Sequence, residues 1–111
     1  MIVFIAGPYR AASAWAIEMH VRSAEHLALD VWRSGHVAIC PHAMTRYYQG
    51  ALPDDVWLPG IRQILGRCDC VLLASGWEGS AGTLMEIDVA KEHGLPVFKS
   101  LSDLLVAADP F

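Results

Sequence analysis

The chain has 111 residues, 54% of them hydrophobic, and a formal net charge of -4 from eight Lys and Arg against twelve Asp and Glu. That length suits one globular unit able to bury its own core, so residues 1–111 are read as a single domain with no need of a disulfide or metal. Eight cations give no basic stripe for long nucleic acid, and no apolar run is long enough to cross a membrane.

The opening run, Ile2 to Ala6, is continuous rather than alternating and ends at Gly7 and Pro8, as in a central strand covered on both faces. It is too short for a signal peptide. The three cysteines Cys40, Cys68 and Cys70 have neither a zinc-site nor a disulfide-framework spacing, so a reducing, cytoplasmic location is expected. From Ala14 to Arg33, Ile17, Val21, Ala24, Leu27, Ala28 and Val31 recur at helical spacing, and Gly35 closes that helix. Residues 36–40 (HVAIC) form a second strand stopped by Pro41, and 42–53 form a turn-rich loop carrying Tyr47 and Tyr48, long enough to be functional.

Asp54 and Asp55 open a second helix bearing Trp57, Leu58, Ile61, Ile64 and Leu65, with Pro59 and Gly60 weakening its early part. A third apolar strand begins at Cys70 (CVLLAS), followed by a glycine-spaced turn and a helix to about His93 and Gly94. Residues 95–100 (LPVFKS) read as a fourth strand, and Leu101 to Ala107 as a short last helix. Strands alternating with helices predict an α/β fold, a flavodoxin-like three-layer αβα sandwich on a four-stranded parallel sheet of order 2-1-3-4. In that order the turns after the first and third strands face each other across a crevice, where such sheets bind ligands. Four Trp and the high apolar fraction predict a homodimer or larger homo-oligomer.

Gly76, Gly79 and Gly82 permit positive φ and close backbone approach, and the amides of the following helix start suit an anionic or hydroxyl-rich ligand. A plain tight turn is the alternative. The spacing is neither that of a P-loop nor that of the dinucleotide fingerprint. Glu86 has two readings. Thr83-Leu84-Met85-Glu86 is a capping box. Alternatively, Glu86 is a carboxylate kept ionised by the helix start, able to attack the anomeric carbon of a sugar.

The segments FIAGPYR, GHVAICPH and RCDCVLLASGWEGSAGTLMEIDVAKEHGLPV span nearly the whole chain. In them the chain resembles the nucleoside 2-deoxyribosyltransferase-like superfamily, in particular its small members of the DUF4406 and DUF1937 kind, and less closely the 2'-deoxynucleoside 5'-phosphate N-hydrolases. The resemblance implies that Glu86 is the nucleophile, that Ser80 contacts a 5'-phosphate, that Arg10 and the Gly7–Pro8 turn add contacts, and that a neighbouring subunit helps to line the site. The chain departs from the family pattern at two places: Phe4 stands where a tyrosine orients the glutamate, and Ile61 where an aspartate contacts the sugar or donates a proton. Tyr9 is a candidate substitute for the missing hydroxyl.

Cleavage of an N-glycosidic bond also needs a route for protonating the departing base. His42, Tyr9, Asp54, Asp55 and Glu78 are the candidates. His42 is alternatively a histidine bonded to backbone at a strand end, and the two aspartates alternatively serve the helix start. Trp77 either stacks on a base or packs in the core. Asp69 is read as structural, Trp15, Trp32 and Trp57 as packing or interface residues, and Glu18 with Arg22 as a helix-surface pair.

The expected site is therefore Glu86, Tyr9 and His42 for chemistry, with Gly7, Pro8, Arg10, Trp77, Gly79, Ser80, Gly82 and Thr83 for a nucleoside or nucleotide. No metal or organic cofactor is implied. Enzymatic glycosyl chemistry and a nucleotide-binding module that has lost turnover are the two competing functions.

Overall fold

The computed structural model describes residues 1–48 and 50–108. Gln49, within the expected loop, and 109–111, at the end of the expected domain, lie outside the described residues. In chain order the elements are β1 (Ile2–Ala6), α1 (Ala14–Arg33), β2 (Val37–Ile39), α2 (Pro41–Met44), α3 (Asp54–Leu65) and β3 (Cys70–Leu73). A 3-10 turn (Trp77–Gly79), α4 (Ala81–Glu92), β4 (Val97–Phe98) and α5 (Leu101–Ala108) follow. The sheet is wholly parallel with order β2-β1-β3-β4, as expected from the alternation of elements.

Alternation along β1 splits the core into two layers. Val3 and Ile5 join Ala24, Ala28 and Val31 of α1 and Leu104 of α5 on one face of the sheet. Phe4 and Ala6 join Leu65 at the end of α3 and Ile87 and Ala90 of α4 on the other. Phe4, Ile5, Leu65, Leu72 and Leu104 are wholly buried, and each stabilises the fold by about 2 kcal/mol relative to exposure. Phe4 is thus committed to the core, with its ring away from solvent.

Several connections differ from the expected ones. β2 is shorter than residues 36–40, because the His36 amide is bonded back to the Val31 carbonyl of α1 at 3.2 Å and Cys40 becomes a helix N-cap. Pro41, expected to end the strand, occupies the first position of α2, where its missing N–H costs nothing. β4 narrows to Val97–Phe98. α3 runs without a break through Pro59 and Gly60, its end buried at Leu65.

Polar contacts pin these layers together. Asp69 accepts from the Ile2 amide at 2.7 Å and returns its own amide to the Ile2 carbonyl at 2.8 Å, which fixes the start of β1 against β3. Glu18 does more than pair with Arg22 at 3.3 Å. It also receives Arg46 at 2.5 Å, while Glu25 takes the other guanidinium nitrogen at 2.8 Å, strapping the segment after α2 onto α1. Trp15 and Trp32 are exposed on α1 and do not pack into the core of the chain. Among the described residues no helix is long and apolar enough to cross a membrane.

Candidate functional site

β1 and β3 end side by side, and their connections leave in different directions. At Gly7 a side chain would be impossible: an added Cβ would lie 2.6 Å from the Cβ of Ala74. This close approach is secured by the bond from the Ala74 amide to the Ala6 carbonyl at 2.8 Å. Two residues on, Gly76 takes the left-handed conformation at φ 85°, and a Cβ there would sit 3.5 Å from Pro8 Cγ, so the two turns touch. Of the three spaced glycines, only Gly76 has positive φ. Gly79 and Gly82 do not, and a Cβ on either would meet nothing within 4 Å. Their role is to leave backbone bare on one side.

That side is a cavity of about 610 Å³ at the carboxyl end of the sheet. Gly7, Pro8, Tyr9 and Arg10 line one part of it and Gly79, Ser80, Gly82, Thr83 and Glu86 another, with His42 between α1 and β1. Trp77 is the expected site residue that the cavity lacks. Its indole packs against the core layer under α3 and α4, the packing alternative, with Lys99 Nζ 5.7 Å from the ring centroid. Ile61 does line the cavity, and its side chain also packs on that same core layer.

The start of α4 lies earlier than the capping-box reading placed it. Ser80, not Thr83, is the N-cap: its Oγ accepts from the Thr83 amide at 3.2 Å and from the Thr83 hydroxyl at 2.9 Å. A hydroxyl has two lone pairs and one proton. Both lone pairs of Ser80 are used, which leaves its proton to donate. The first-turn amides of Ala81 and Gly82 are the orphan donors of the helix start, and both residues line the cavity. Three donors thus converge where Gly79 and Gly82 leave room.

Because the cap is Ser80, Glu86 falls in the second turn of α4, beyond reach of the cap amide. It is half-buried, and among the described residues its carboxylate has no hydrogen bond or salt bridge. Burial pushes its pKa up to about 7, and the Arg62 guanidinium across the cavity wall partly offsets that. The expectation that the helix start keeps this group firmly ionised is therefore corrected. Desolvation outweighs the dipole, whose effect fades within the first turn.

The other titratable groups are already engaged. His42 is 8% exposed, and its Nε2 stands 2.9 Å from the Pro8 carbonyl, to which it donates. Burial lowers its pKa, so the ring is neutral at pH 7. The His20 Nδ1 lies 3.1 Å from the Tyr9 carbonyl, and Tyr9 packs edge-on to His42 at 5.5 Å. Two histidines from α1 and α2 thus hold consecutive carbonyls of the turn after β1. Arg10 forms a salt bridge with Asp54 at the head of α3. The cysteines lie outside the cavity, and burial raises all three thiols, Cys70 to about 11, so none is a nucleophile at neutral pH. Among the described residues no group of three or more His, Cys, Asp and Glu is placed to hold a metal ion.

Among the cavity residues not singled out from sequence as site residues, His20, Trp57 and Arg62 carry chemistry. His20 sits on α1, in its second turn. Trp57 lines the cavity against Tyr48, ring centroids 5.3 Å apart, and its indole N–H is buried with no partner among the described residues. Arg62 shares the cavity with Leu58 and Ile61 of α3. The signal for Arg62 was available: 58, 61, 62 and 65 fall on one helical face, and a cation on an apolar face asks for an explanation.

Together these features define a doubly wound α/β protein with a polar-lipped cavity at the topological switch point of its sheet. The family model for DUF1937, a domain of unknown function, matches residues 1–101. The chain belongs to that family. No curated protein matches it.

Proposed function

We propose that the protein cleaves or transfers the N-glycosidic bond of a nucleoside or nucleoside 5'-monophosphate, with Glu86 as the nucleophile. The observation that carries this reading is a half-buried carboxylate with no protein partner, facing a cavity whose anion-binding donors sit one helical turn away. From Gly82 to Glu86 the helix rises about 6 Å. A phosphate on the Ser80 hydroxyl and the Ala81 and Gly82 amides would be separated from Glu86 by roughly a sugar ring and its exocyclic carbon. The resemblance of the GWEGSAGTLMEID segment to nucleoside 2-deoxyribosyltransferase-like proteins supports the same assignment.

In this mechanism the ionised Glu86 oxygen bonds to the anomeric carbon while the C–N bond breaks, and its electron pair leaves with the base. The ester is then resolved by water, which gives the sugar its hydroxyl and supplies the proton that ends on the base, or by a second base. His42 is less suited to proton donation than to positioning, since its Nε2 proton is bound to the Pro8 carbonyl.

A second reading has its own support. Phe4 is sealed in the core and Ile61 packs against the same layer, so neither position offers Glu86 a hydroxyl or carboxyl to orient it. That favours a nucleotide-binding module without turnover.

Glu86→Gln separates the two. The test is free base released from a panel of nucleosides and 5'-monophosphates. Release by wild type and a loss of at least about 100-fold in the variant are expected. Equal release by both proteins would sink the nucleophile, and tight nucleotide binding with no release by wild type would establish the module.

A further inference from the structure

The cavity holds two arginines, and their situations differ. Arg10 is bound to Asp54, and its side chain is 75% exposed. Arg62 is half-buried and lines the cavity beside Glu86. Among the described residues it forms no salt bridge, although Asp88 and Glu92 of α4 line the shallow groove on its outer side. It is near enough to Glu86 for the two charges to interact, yet the pair does not close. A guanidinium that lines the same cavity as a carboxylate without bonding it leaves room for a ligand group between or beside them.

The order of groups along the wall then matters. Anion donors stand at the start of α4, Glu86 one turn on, and Arg62 faces Glu86 from α3. With a phosphate at the first position and the anomeric carbon at the second, the departing base lies on the Arg62 side. Of the cavity's acid–base groups, His42 is committed to the Pro8 carbonyl, His20 to the Tyr9 carbonyl and Asp54 to Arg10, while the Tyr9 ring packs edge-on against His42, on the β1 side.

We propose that Arg62 receives the leaving base, donating to a carbonyl oxygen or ring-nitrogen lone pair next to the glycosidic nitrogen and stabilising the charge that gathers there as the bond breaks. This inference rests on the glycosidase reading above. The guanidinium keeps its protons throughout. The electron pair of the C–N bond passes to the base, is spread onto the acceptor that Arg62 holds, and is neutralised by a proton from water after departure. The contribution is electrostatic, of the kind made by fixed donors aimed at developing charge. It commits the substrate to a base with an acceptor at that position.

The test compares two kinds of substrate. One is a set of 2'-deoxynucleoside 5'-monophosphates, whose bases leave poorly. The other is a 2-deoxyribosyl 5-phosphate carrying nitrophenolate, which leaves without help. For Arg62→Gln, kcat on the nucleotides is expected to fall about 100-fold with KM little changed. On the nitrophenyl substrate, assayed at pH 9 so that Glu86 is ionised with or without the Arg62 charge, the loss should be under about 3-fold, which also shows that the variant is folded. Arg62→Lys is expected to recover part of the nucleotide activity, because it restores the charge without the fork. Equal losses on both substrates in both variants, or no loss on either, would overturn the role of Arg62 and leave the Glu86 reading intact. No cleavage of either substrate by wild type would overturn both.

Discussion

Gly7 and Ala74 meet at the ends of β1 and β3, so closely that a Cβ on Gly7 would lie 2.6 Å from the Cβ of Ala74. Both residues belong to backbone that cannot move away, since Ala74 is bonded to Ala6 in the sheet. Gly7→Ala is therefore expected to splay the strand ends and destabilise the protein by about 1–3 kcal/mol. A denaturation curve measures this directly, and an unchanged midpoint would contradict the packing described.

Gly82 presents the opposite case. Its Cβ position is empty, its φ is not in the left-handed region, and it lies in the first turn of α4. Gly82→Ala should raise stability by up to about 1 kcal/mol, from helix propensity alone. The methyl would crowd the amides proposed to bind an anion, so affinity for a nucleoside 5'-monophosphate should drop at least about 10-fold, the equivalent of 1.4 kcal/mol. Calorimetric titration beside a thermal melt reads both effects. Unchanged affinity would move the anion away from this turn.

Glu86 links activity to stability through pH. Its folded pKa of about 7 lies above the ordinary 4.5. Below 4.5 both folded and unfolded chains hold the proton; as pH rises, the unfolded chain releases it first, so stability falls between about 4.5 and 7 and stays reduced above. Glu86→Gln carries no charge to bury. It should match wild type near pH 4 and exceed it at pH 8, by up to about 3 kcal/mol. Base release by wild type should rise from pH 6 to 8 as the carboxylate forms. A variant no more stable than wild type at pH 8 would mean that the carboxylate is well solvated.

His42 has the reverse sign. Burial lowers its folded pKa below 6.5, so the stability gained from the neutral ring is present above that pH and is lost as pH falls through it. His42→Ala removes the bond to Pro8 and should cost about 1–3 kcal/mol at pH 7.5. His42→Gln keeps an N–H donor and loses the titration; made in a Glu86→Gln background, where the opposing carboxylate titration is gone, it should leave stability varying less between pH 7 and 5 than Glu86→Gln alone. Urea midpoints at the two pH values decide the matter.

Much of this architecture was legible in one dimension. α1 was bounded at Ala14 and Arg33 by its apolar period and by Gly35, because amphipathic spacing is a local property that packing then confirms. The continuous apolar runs of β1 and β3 announced strands buried on both faces, and from them the sheet order and the facing turns followed. The short pieces were less legible. β4 keeps two residues, and α2 arises where Pro41 was taken as a stop, since proline both ends strands and opens helices.

The sequence by itself determined which chemistry the protein can offer: a glycine-marked turn, a hydroxyl and a carboxylate at the end of an apolar strand. Only the tertiary structure decided how those groups are used. Ser80 and Thr83 are both good caps, and the path of the chain through Gly76 chose Ser80, which freed Glu86 from the helix start. Trp77 and Trp57 are both large aromatics, and packing sent the first to the core layer and the second to the cavity. The charge state of Glu86 was the least legible of all. It depends on burial by elements far apart in the chain and on Arg62 of α3, and desolvation is a sum over neighbours that exists only once the chain is folded.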